Sequence, residues 1–206
     1  MLIGVDFDNT IVSYDTLFHK VATEQGAVPG STPQNKIAVR DHLRAIGKED
    51  VWTEMQGYVY GARMGEAAVY PGVIDFFRWA RVARISLCVV SHKTLHPFIG
   101  PKYDLHQAAR GWIETHLVDE QGALIAPDRV FLEVTKEAKW SRIAAAGCDW
   151  FIDDLPEILL DPAFPESASR ILFDPEEHHA DEVALLRMAN WGDIRCHFER
   201  QCSPTN

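Results

Sequence analysis

Two aspartates close the first apolar segment of the chain. Leu2 to Val5 is apolar, and Asp6, Asp8 and Thr10 follow it. A carboxylate can act as a nucleophile, a second carboxylate can move a proton, and carboxylate oxygens bind hard divalent cations. Side chains two positions apart on an extended chain point the same way, so both acids can face one ligand. The opening residues therefore predict a nucleophile and metal site.

Further polar residues close later apolar segments. Ser91 ends one of them, Lys136 and Lys139 begin a predicted helix, and Asp153 and Asp154 end another apolar segment. Four carboxylates at one sheet edge repel each other unless a cation lies among them. Oxygen ligands without nearby His or Cys favour a hard cation, and Mg²⁺ is the usual one beside phosphate. Together with a lysine and a hydroxyl, they suit phosphoryl transfer through an acyl-phosphate.

An alternation of strand-like and helical segments positions these residues. Short apolar runs rich in β-branched residues predict buried strands at 2–5, 85–90, 129–134, 149–152 and 170–173. The helical patterns between them indicate an α/β fold with a doubly wound parallel, Rossmann-like sheet. Ligands bind beyond the carboxyl ends of such strands. A last amphipathic helix is predicted through Leu185, Leu186, Met188 and Trp191, with a frayed end at 199–206.

The segment 14–69 has a different character. It contains three helical patterns and no strand-like run, which predicts an all-helical insertion after the first strand. We therefore expect a core domain at 1–13 and 70–206 and a helical domain at 14–69. Side chains of the insertion could contact a substrate, although the sequence assigns none of the candidates: Arg40, Trp52, Gln56, Tyr58 and Arg63.

Composition excludes several classes of partner. The 206 residues carry a net charge of −10, which argues against binding a nucleic-acid polymer. No stretch approaches the length of a membrane span, so we expect no membrane partner. The four cysteines lack metal-binding spacing, and the expectation is a reduced, cytoplasmic protein. The oligomeric state is left open.

The motifs resemble those of the haloacid dehalogenase (HAD) superfamily of phosphohydrolases. The stretch D-F-D-N-T at 6–10 resembles its DxDxT signature, and a strand-closing Ser91, a lysine and a strand-closing acidic pair follow in the family's order. The match covers most of 1–12 and 70–175. It implies a HAD-type fold and identifies the helical insertion as a small C1-type cap that closes over the site.

The resemblance also implies roles for the opening motif. Asp6 would attack phosphorus and ligate Mg²⁺. Asp8 would protonate the leaving alcohol and then activate water, and its main-chain carbonyl would ligate the metal. Thr10 would hold Asp8 and the substrate loop in place.

For the later motifs, the resemblance assigns Ser91 to the phosphoryl oxygens. His92 and Lys93 follow Ser91 in the chain and are candidates for substrate contact.

The phosphate-facing lysine is either Lys136 or Lys139, and the spacing of fourteen residues to Asp153 favours Lys139. Asp153 and Asp154 would complete the Mg²⁺ site, with Asp154 favoured as the direct ligand.

The predicted function is a Mg²⁺-dependent phosphatase. It would hydrolyse a small phosphorylated metabolite, a sugar phosphate or a nucleotide monophosphate, through an aspartyl-phosphate. The resemblance associates an acid at position 8 with phosphatases and phosphomutases and implies that dehalogenases lack it. Two alternatives stay open: a phosphomutase that uses the same intermediate, and a catalytically silent module that binds phosphate or a partner.

Overall fold

The computed structural model describes residues 1–182 and 184–202. In chain order the elements are β1 (Leu2–Val5), β2 (Val12–Ser13), α1 (Asp15–Glu24), α2 (Lys36–Ala45), α3 (Glu49–Tyr60), β3 (Ala68–Val69), α4 (Val73–Val82), β4 (Ser86–His92), α5 (Leu105–His116), β5 (Val118–Asp119), β6 (Gly122–Ala123), β7 (Val130–Glu133), α6 (Lys136–Ala146), β8 (Trp150–Asp153), α7 (Pro156–Leu159), β9 (Ser169–Phe173), β10 (Leu186–Met188) and α8 (Trp191–Cys202). Short 3-10 turns lie at Met64–Glu66 and Pro127–Arg129.

Packing divides the chain into two compact units. An α/β unit comprises 1–11, 69–92 and 117–206, and a helical unit comprises 12–68 and 93–116. The helical unit thus contains α5 in addition to the segment predicted as the insertion. The domain bounds given above stay a prediction, and residues 203–206 of the predicted core domain lie outside the described residues.

The α/β unit is built on a six-stranded sheet in the order β10-β9-β8-β1-β4-β7. All neighbouring strands are parallel, which confirms the predicted doubly wound α/β architecture. β1 lies in the middle, and its Ile3 and Val5 are fully buried. Gly4 brings β1 close to its neighbours, because a Cβ there would lie 2.6 Å from the Phe151 ring and 2.8 Å from the Cys148 Sγ.

The prediction for the last helix is wrong about where the helix begins. Residues 186–188 form the edge strand β10, which pairs with β9, and the helix begins only at Trp191. The register places Leu186 opposite Ile171, Arg187 opposite Leu172 and Met188 opposite Phe173. Pairing with the sheet therefore determines the secondary structure of a segment whose apolar spacing also fits a helix. The described residues of the expected frayed end, 199–202, belong to α8.

The helical unit contains α1, α2, α3 and α5. The Asn35 side chain caps α2 by accepting from the Ala38 amide at 2.7 Å. The indole of Trp112 in α5 donates to the Ala67 carbonyl at 2.9 Å. The segment 14–69 is helical as predicted except for β3 in its last two residues. In the described part of the chain, no helix has the length and apolar character that crossing a membrane requires.

Candidate active site

The carboxyl end of β1 places Asp6 at the centre of the sheet edge. The Asp6 amide continues the pairing with β8 by donating to the Ile152 carbonyl at 2.8 Å. The Asp6 side chain is buried. The backbone of this candidate nucleophile is therefore fixed by the sheet.

The neighbouring strand β8 ends in the second acidic motif. Asp153 is its last residue and is fully buried, and Asp154 follows, partly exposed. Among the residues that the structure describes, carboxylate oxygens of Asp6, Asp153 and Asp154 lie within 4.8 Å of one another. The sheet thus brings together three of the four predicted metal-site acids.

Helix α6 carries Lys139. Its first turn is capped by the Thr135 hydroxyl, which accepts from the Ala138 amide at 3.1 Å, and it ends at Gly147 with φ +71°. The buried face of α6 consists of Lys139, Trp140 and Ile143. Positions three and four apart share a helix face, so Lys139 extends into the core together with apolar neighbours.

The Lys139 ammonium joins the two motifs. Its Nζ donates to the Asp6 Oδ1 at 2.6 Å and to the Asp153 Oδ2 at 2.6 Å. It also lies 5.5 Å from the centroid of the Phe151 ring. Lys136, the other candidate, is partly exposed and lies 3.9 Å from the Glu157 carboxylate. The geometry therefore favours Lys139 as the lysine of the site.

In this cluster, burial and the neighbouring opposite charges shift each of the pKa values of Asp6 and Lys139 in opposite directions. Burial raises the pKa of Asp6 to about 7 against the attraction of the Lys139 ammonium, and the charges of Asp153 and Asp8 add to the increase. Burial alone would lower the pKa of Lys139, but Asp153 and Asp6 hold it above its ordinary value. The lysine therefore stays charged, while burial disfavours the ionised form of Asp6.

The two carboxylates after β8 have different surroundings. The Asp153 Oδ2 accepts from Lys139, and its Oδ1 accepts from the Leu155 amide at 3.0 Å. Asp154 accepts from the Thr10 hydroxyl through Oδ1 at 3.4 Å. Both Asp153 oxygens are thus engaged in positioning, which makes Asp154 the better candidate for a direct metal ligand.

Thr10 lies in the segment between β1 and β2, and Ser91 is the penultimate residue of β4. Thr10 is fully buried, its carbonyl accepts from the Trp191 indole at 3.1 Å, and its hydroxyl contacts the second acidic motif. Ser91 is buried in β4, paired with Leu132 of β7. The predicted strand ending at 90 therefore continues through His92.

His92 ends β4 and is half-buried. Burial and the positive charges of Lys139 and Lys136 lower the pKa of its imidazole, so the neutral ring is favoured at neutral pH. The Asp8 carboxylate acts in the opposite direction. Asp8 itself is not a member of the three-carboxylate group, and its predicted roles stay predictions.

Asp174 is a further buried carboxylate at this sheet edge that the sequence interpretation missed. It follows β9 and accepts from the amides of His178 and His179 at 2.9 and 3.0 Å, and from the Arg187 guanidinium at 3.2 Å. These bonds order the loop after β9. Its position directly after the strand 170–173 was the available signal.

The donor set suits a hard divalent cation. The grouped atoms are carboxylate oxygens, without sulfur or imidazole ligands in the group. A cation there would also favour the ionised form of Asp6, whose pKa burial raises. The residues present therefore fit a hard divalent cation such as Mg²⁺, which Asp6 and Asp154 would hold through their carboxylates.

The chain resembles known proteins in its three-dimensional structure. No family model and no curated protein sequence matches the chain. A HAD family hydrolase from Deinococcus radiodurans R1, solved with bound phosphate and sodium, superposes with a TM-score of 0.54 at 16% identity, over 99% of this chain and 98% of that one.

Two further solved structures carry different activities in their names. A predicted phosphoglycolate phosphatase from Haemophilus somnus 129PT has a TM-score of 0.57 at 15% identity, over 96% of this chain and 97% of its own. An L-2-haloacid dehalogenase has a TM-score of 0.54 at 12% identity, over 96% and 98%. At these identities the similarity establishes a shared fold over nearly the whole chain.

Proposed function

From a chain with the fold of the HAD-superfamily hydrolases, we propose a Mg²⁺-dependent phosphatase that hydrolyses a small phosphate monoester through an aspartyl-phosphate at Asp6. One observation carries the proposal. The Lys139 ammonium bridges Asp6 and Asp153 while Asp154 completes a group of three carboxylates. A candidate nucleophile, a cation beside it and oxygen atoms suited to a metal thus lie at one sheet edge, which supports the proposal.

Asp6 is the proposed nucleophile. The backbone bond to Ile152 and the bond to Lys139 fix its position, which limits the reorganisation needed before attack. Its oxygen attacks phosphorus, the P–O bond to the alcohol breaks, and an acyl-phosphate forms. Water then attacks phosphorus, which releases inorganic phosphate and restores the carboxylate.

In the proposed mechanism, Lys139 and the metal each neutralise part of the negative charge of the carboxylate and the phosphoryl group. Lys139 neutralises the carboxylate that it touches and the phosphoryl oxygens that approach it. When bound by Asp6 and Asp154, Mg²⁺ would supply Lewis-acid stabilisation of the phosphoryl oxygens and keep Asp6 ionised. Asp153 holds the lysine rather than the metal, because both of its oxygens are engaged.

Asp8 and Ser91 complete the proposed machinery. Asp8 donates a proton to the leaving alcohol and later removes one from the attacking water, a role that contributes about 10²–10⁴-fold to rate. Ser91 donates a hydrogen bond to a phosphoryl oxygen from its position in β4. His92, neutral by its lowered pKa, is a candidate for hydrogen bonding to the substrate.

Dehalogenation is the second candidate, since a haloacid dehalogenase shares the fold. The acid at position 8 favours phosphate esters, because by the family resemblance dehalogenases lack it. A phosphomutase would retain all the residues assigned above and differ only in the fate of the phosphoryl group.

The test is phosphate release from a panel of sugar phosphates, nucleotide monophosphates, phosphorylated acids and p-nitrophenyl phosphate, with Mg²⁺ and with chelator. 2-Chloropropionate is assayed in parallel for halide release. We expect Mg²⁺-dependent phosphate release that Asp6→Asn abolishes. Halide release without phosphate release would support the dehalogenase, and phosphate migrating within the substrate would support the mutase.

A further inference from the structure

A cavity lies at the end of the sheet away from the candidate active site. Its volume is about 350 Å³, and it is bordered by the end of α4, the start of β4 and the segment 124–129. All three belong to the α/β unit. β4 runs from Ser86 at the cavity to Ser91, and at about 3.3 Å per residue these positions are about 16 Å apart. The cavity is therefore separate from the residues assigned above.

The lining of the cavity combines apolar side chains with guanidinium groups. The buried apolar residues of the lining are Phe77, Ile85, Leu87, Leu124 and Ile125. Its charged residues are Arg81, Arg84 and Arg129, and no acidic residue of the described chain lines it. An apolar lining with a few polar groups is typical of sites that bind small organic molecules. The positive charges indicate an anionic one.

Arg81 has a carboxylate partner within the unit. Its guanidinium donates to Oδ2 of Asp119 in β5, and the Arg78 guanidinium donates to the same oxygen at 3.3 Å. The Asp119 side chain is only 3% exposed, so these bonds fix the β5–β6 hairpin to α4. Arg81 is thus held beside the cavity with its charge balanced.

The other two guanidinium groups have no such partner. Among the side chains of residues 1–182 and 184–202, none forms a hydrogen bond or an ion pair with the guanidinium of Arg84 or Arg129. Both residues are exposed, which leaves their N–H groups accessible to a ligand. An anion in the cavity would therefore meet two positive charges that no carboxylate neutralises.

Arg84 has an unusual backbone conformation for its residue type. Its φ is +57°, in the left-handed region that glycine adopts without strain. The Arg84 amide donates to the Arg81 carbonyl at 3.2 Å, and the Ile85 amide donates to the Ala80 carbonyl at 2.8 Å. This is the Schellman motif after a helix, in which glycine is the usual residue at the position of Arg84. A side chain here costs conformational free energy, and strained residues of this kind are frequent at ligand sites.

The guanidinium groups also define the class of ligand. Arginine presents a planar fork of donors that matches two oxygens of a carboxylate or a phosphate, and its flat face stacks on planar groups. The volume of about 350 Å³ lies near the lower end of the range for ligand pockets, about 300–1,000 Å³. A ligand with one small ring system and one anionic group therefore suits both the size and the lining.

We propose that Arg84 and Arg129 form a second binding site, at the amino end of β4, for a small organic anion that joins a planar apolar ring to a carboxylate or a phosphate group. The guanidinium groups bind the anionic oxygens, and the ring lies against the apolar lining. The site goes beyond the proposed phosphatase activity and does not depend on it.

Calorimetric titration in chelator tests the site with probes that contain no ester to hydrolyse. 1-Naphthoate and 1-naphthylphosphonate carry the ring with a carboxylate or a phosphonate, 1-naphthamide carries the ring alone, and inorganic phosphate carries the anion alone. We expect one molecule of at least one anionic probe to bind about tenfold or more tightly than 1-naphthamide and inorganic phosphate, because a hydrogen bond to a charged group contributes at least that factor. Which anionic probe binds identifies the anionic group that the site accepts. Equal affinity for all four probes, or binding of neither anionic probe, would overturn the proposal.

Substitution of the two arginines locates the binding. Arg84→Gly and Arg129→Met should each weaken binding of the preferred probe by about tenfold or more. Arg84→Gly should not lower the urea midpoint of unfolding, because glycine adopts the left-handed conformation freely. Arg200→Met is the matched control, since Arg200 is an exposed arginine of α8 in the same unit, and its Kd should equal that of the wild type. Wild-type affinity in both cavity variants, or an equal loss in Arg200→Met, would refute the site.

A variant of the candidate active site completes the test. Asp154→Asn should bind the preferred probe with the wild-type Kd, because Asp154 lies at the opposite end of the sheet. A changed Kd in Asp154→Asn with unchanged Kd in the arginine variants would place the probe at the candidate active site and overturn the proposal. Since no turnover is measured, the result is independent of whether the chain hydrolyses phosphate esters.

Discussion

The two units each contain a cation between two carboxylates, and the two arrangements differ in burial. In the α/β unit, Lys139 lies between Asp6 and Asp153, with side chains that are nearly or completely buried. In the helical unit, Arg63 lies between Glu24 and Glu66, whose side chains are 46% and 40% exposed. The carboxylates around Lys139 therefore experience a low dielectric, whereas those around Arg63 are partly exposed to solvent.

Burial changes what each arrangement can do. The buried carboxylate Asp6 has its pKa raised to about 7 by burial, against the attraction of the Lys139 ammonium. The exposed Glu66 has its pKa lowered to about 2 by its hydrogen bonds to Arg63 and Lys20. The ionised form of the buried group is therefore disfavoured, whereas the exposed group stays ionised and joins Lys20 of α1 to Arg63.

The largest expected effect follows from Lys139→Met. Removing one partner of a buried charge pair leaves the others uncompensated and typically costs about 3–5 kcal/mol of unfolding free energy. Urea unfolding measures this loss, and phosphate release should fall to background. Lys136→Met, on the exposed side of the same helix, is the control and should leave unfolding within about 0.5 kcal/mol. Equal effects of the two variants would refute the special role of Lys139.

The next effect separates the adjacent acids Asp153 and Asp154. Asp154→Asn should weaken Mg²⁺ activation with little effect on stability, because Asp154 is the proposed direct ligand. Asp153→Asn should chiefly destabilise the fold, by about 1.5–3 kcal/mol, because it removes a charged partner of Lys139. Mg²⁺ titrations of activity and urea unfolding of both variants provide the comparison. The reverse pattern would exchange the two assignments.

Metal removal should affect one unit and spare the other. With chelator we expect phosphate release to fall to background and to return on addition of Mg²⁺, since Asp6 loses the charge that keeps it ionised. Activity measured against pH in limiting Mg²⁺ should rise as pH increases through about 7, as Asp6 loses its proton. Full activity in chelator would contradict the metal site.

Arg63→Met should have a small effect. Exposed ion pairs contribute about 0.2–1 kcal/mol each, so the loss in urea unfolding should be far below that of Lys139→Met. The effect should shrink further at high salt, because solvent-exposed charges are screened. A loss as large as that of the buried lysine would remove the distinction between the two arrangements.

The smallest effect is the pH dependence of Glu66. Its folded pKa lies below the unfolded value, so its contribution to stability is complete above about 4.5 and is lost as pH falls toward about 2. The difference in unfolding free energy between wild type and Glu66→Gln should be constant from pH 7 to 5 and decline below that. A difference that grows on acidification would have the wrong sign.

Local sequence patterns predict most helices and strands of the α/β unit, but they do not predict the contacts between its strands and helices. The helix Lys136–Ala146 and the parallel sheet were predicted, because Thr135, Gly147 and the apolar runs act locally. The 2.6 Å contacts of Lys139 depend on strand order, which places β1 beside β8. The segment 186–188 was missed because its pairing with β9 overrides the helical spacing.

For the helical unit, the sequence predicted the helices but not their side-chain partners. Arg63 is a candidate substrate contact by composition, and the structure engages it with Glu24 and Glu66. The proximity of Lys36 and Lys93 to Tyr60 joins residues from three distant segments. Contacts of this kind arise from tertiary packing, and no periodicity in the sequence predicts them.

The most direct test of the account is to trap the intermediate on Asp6. Enzyme mixed with a hydrolysed substrate and Mg²⁺ is quenched in acid, reduced with borohydride and digested, because borohydride converts a phosphorylated aspartate into homoserine. We predict homoserine at position 6 in the wild type and its absence in samples quenched without substrate. Turnover without any modification at position 6, or modification at another aspartate, would contradict the proposed role of Asp6.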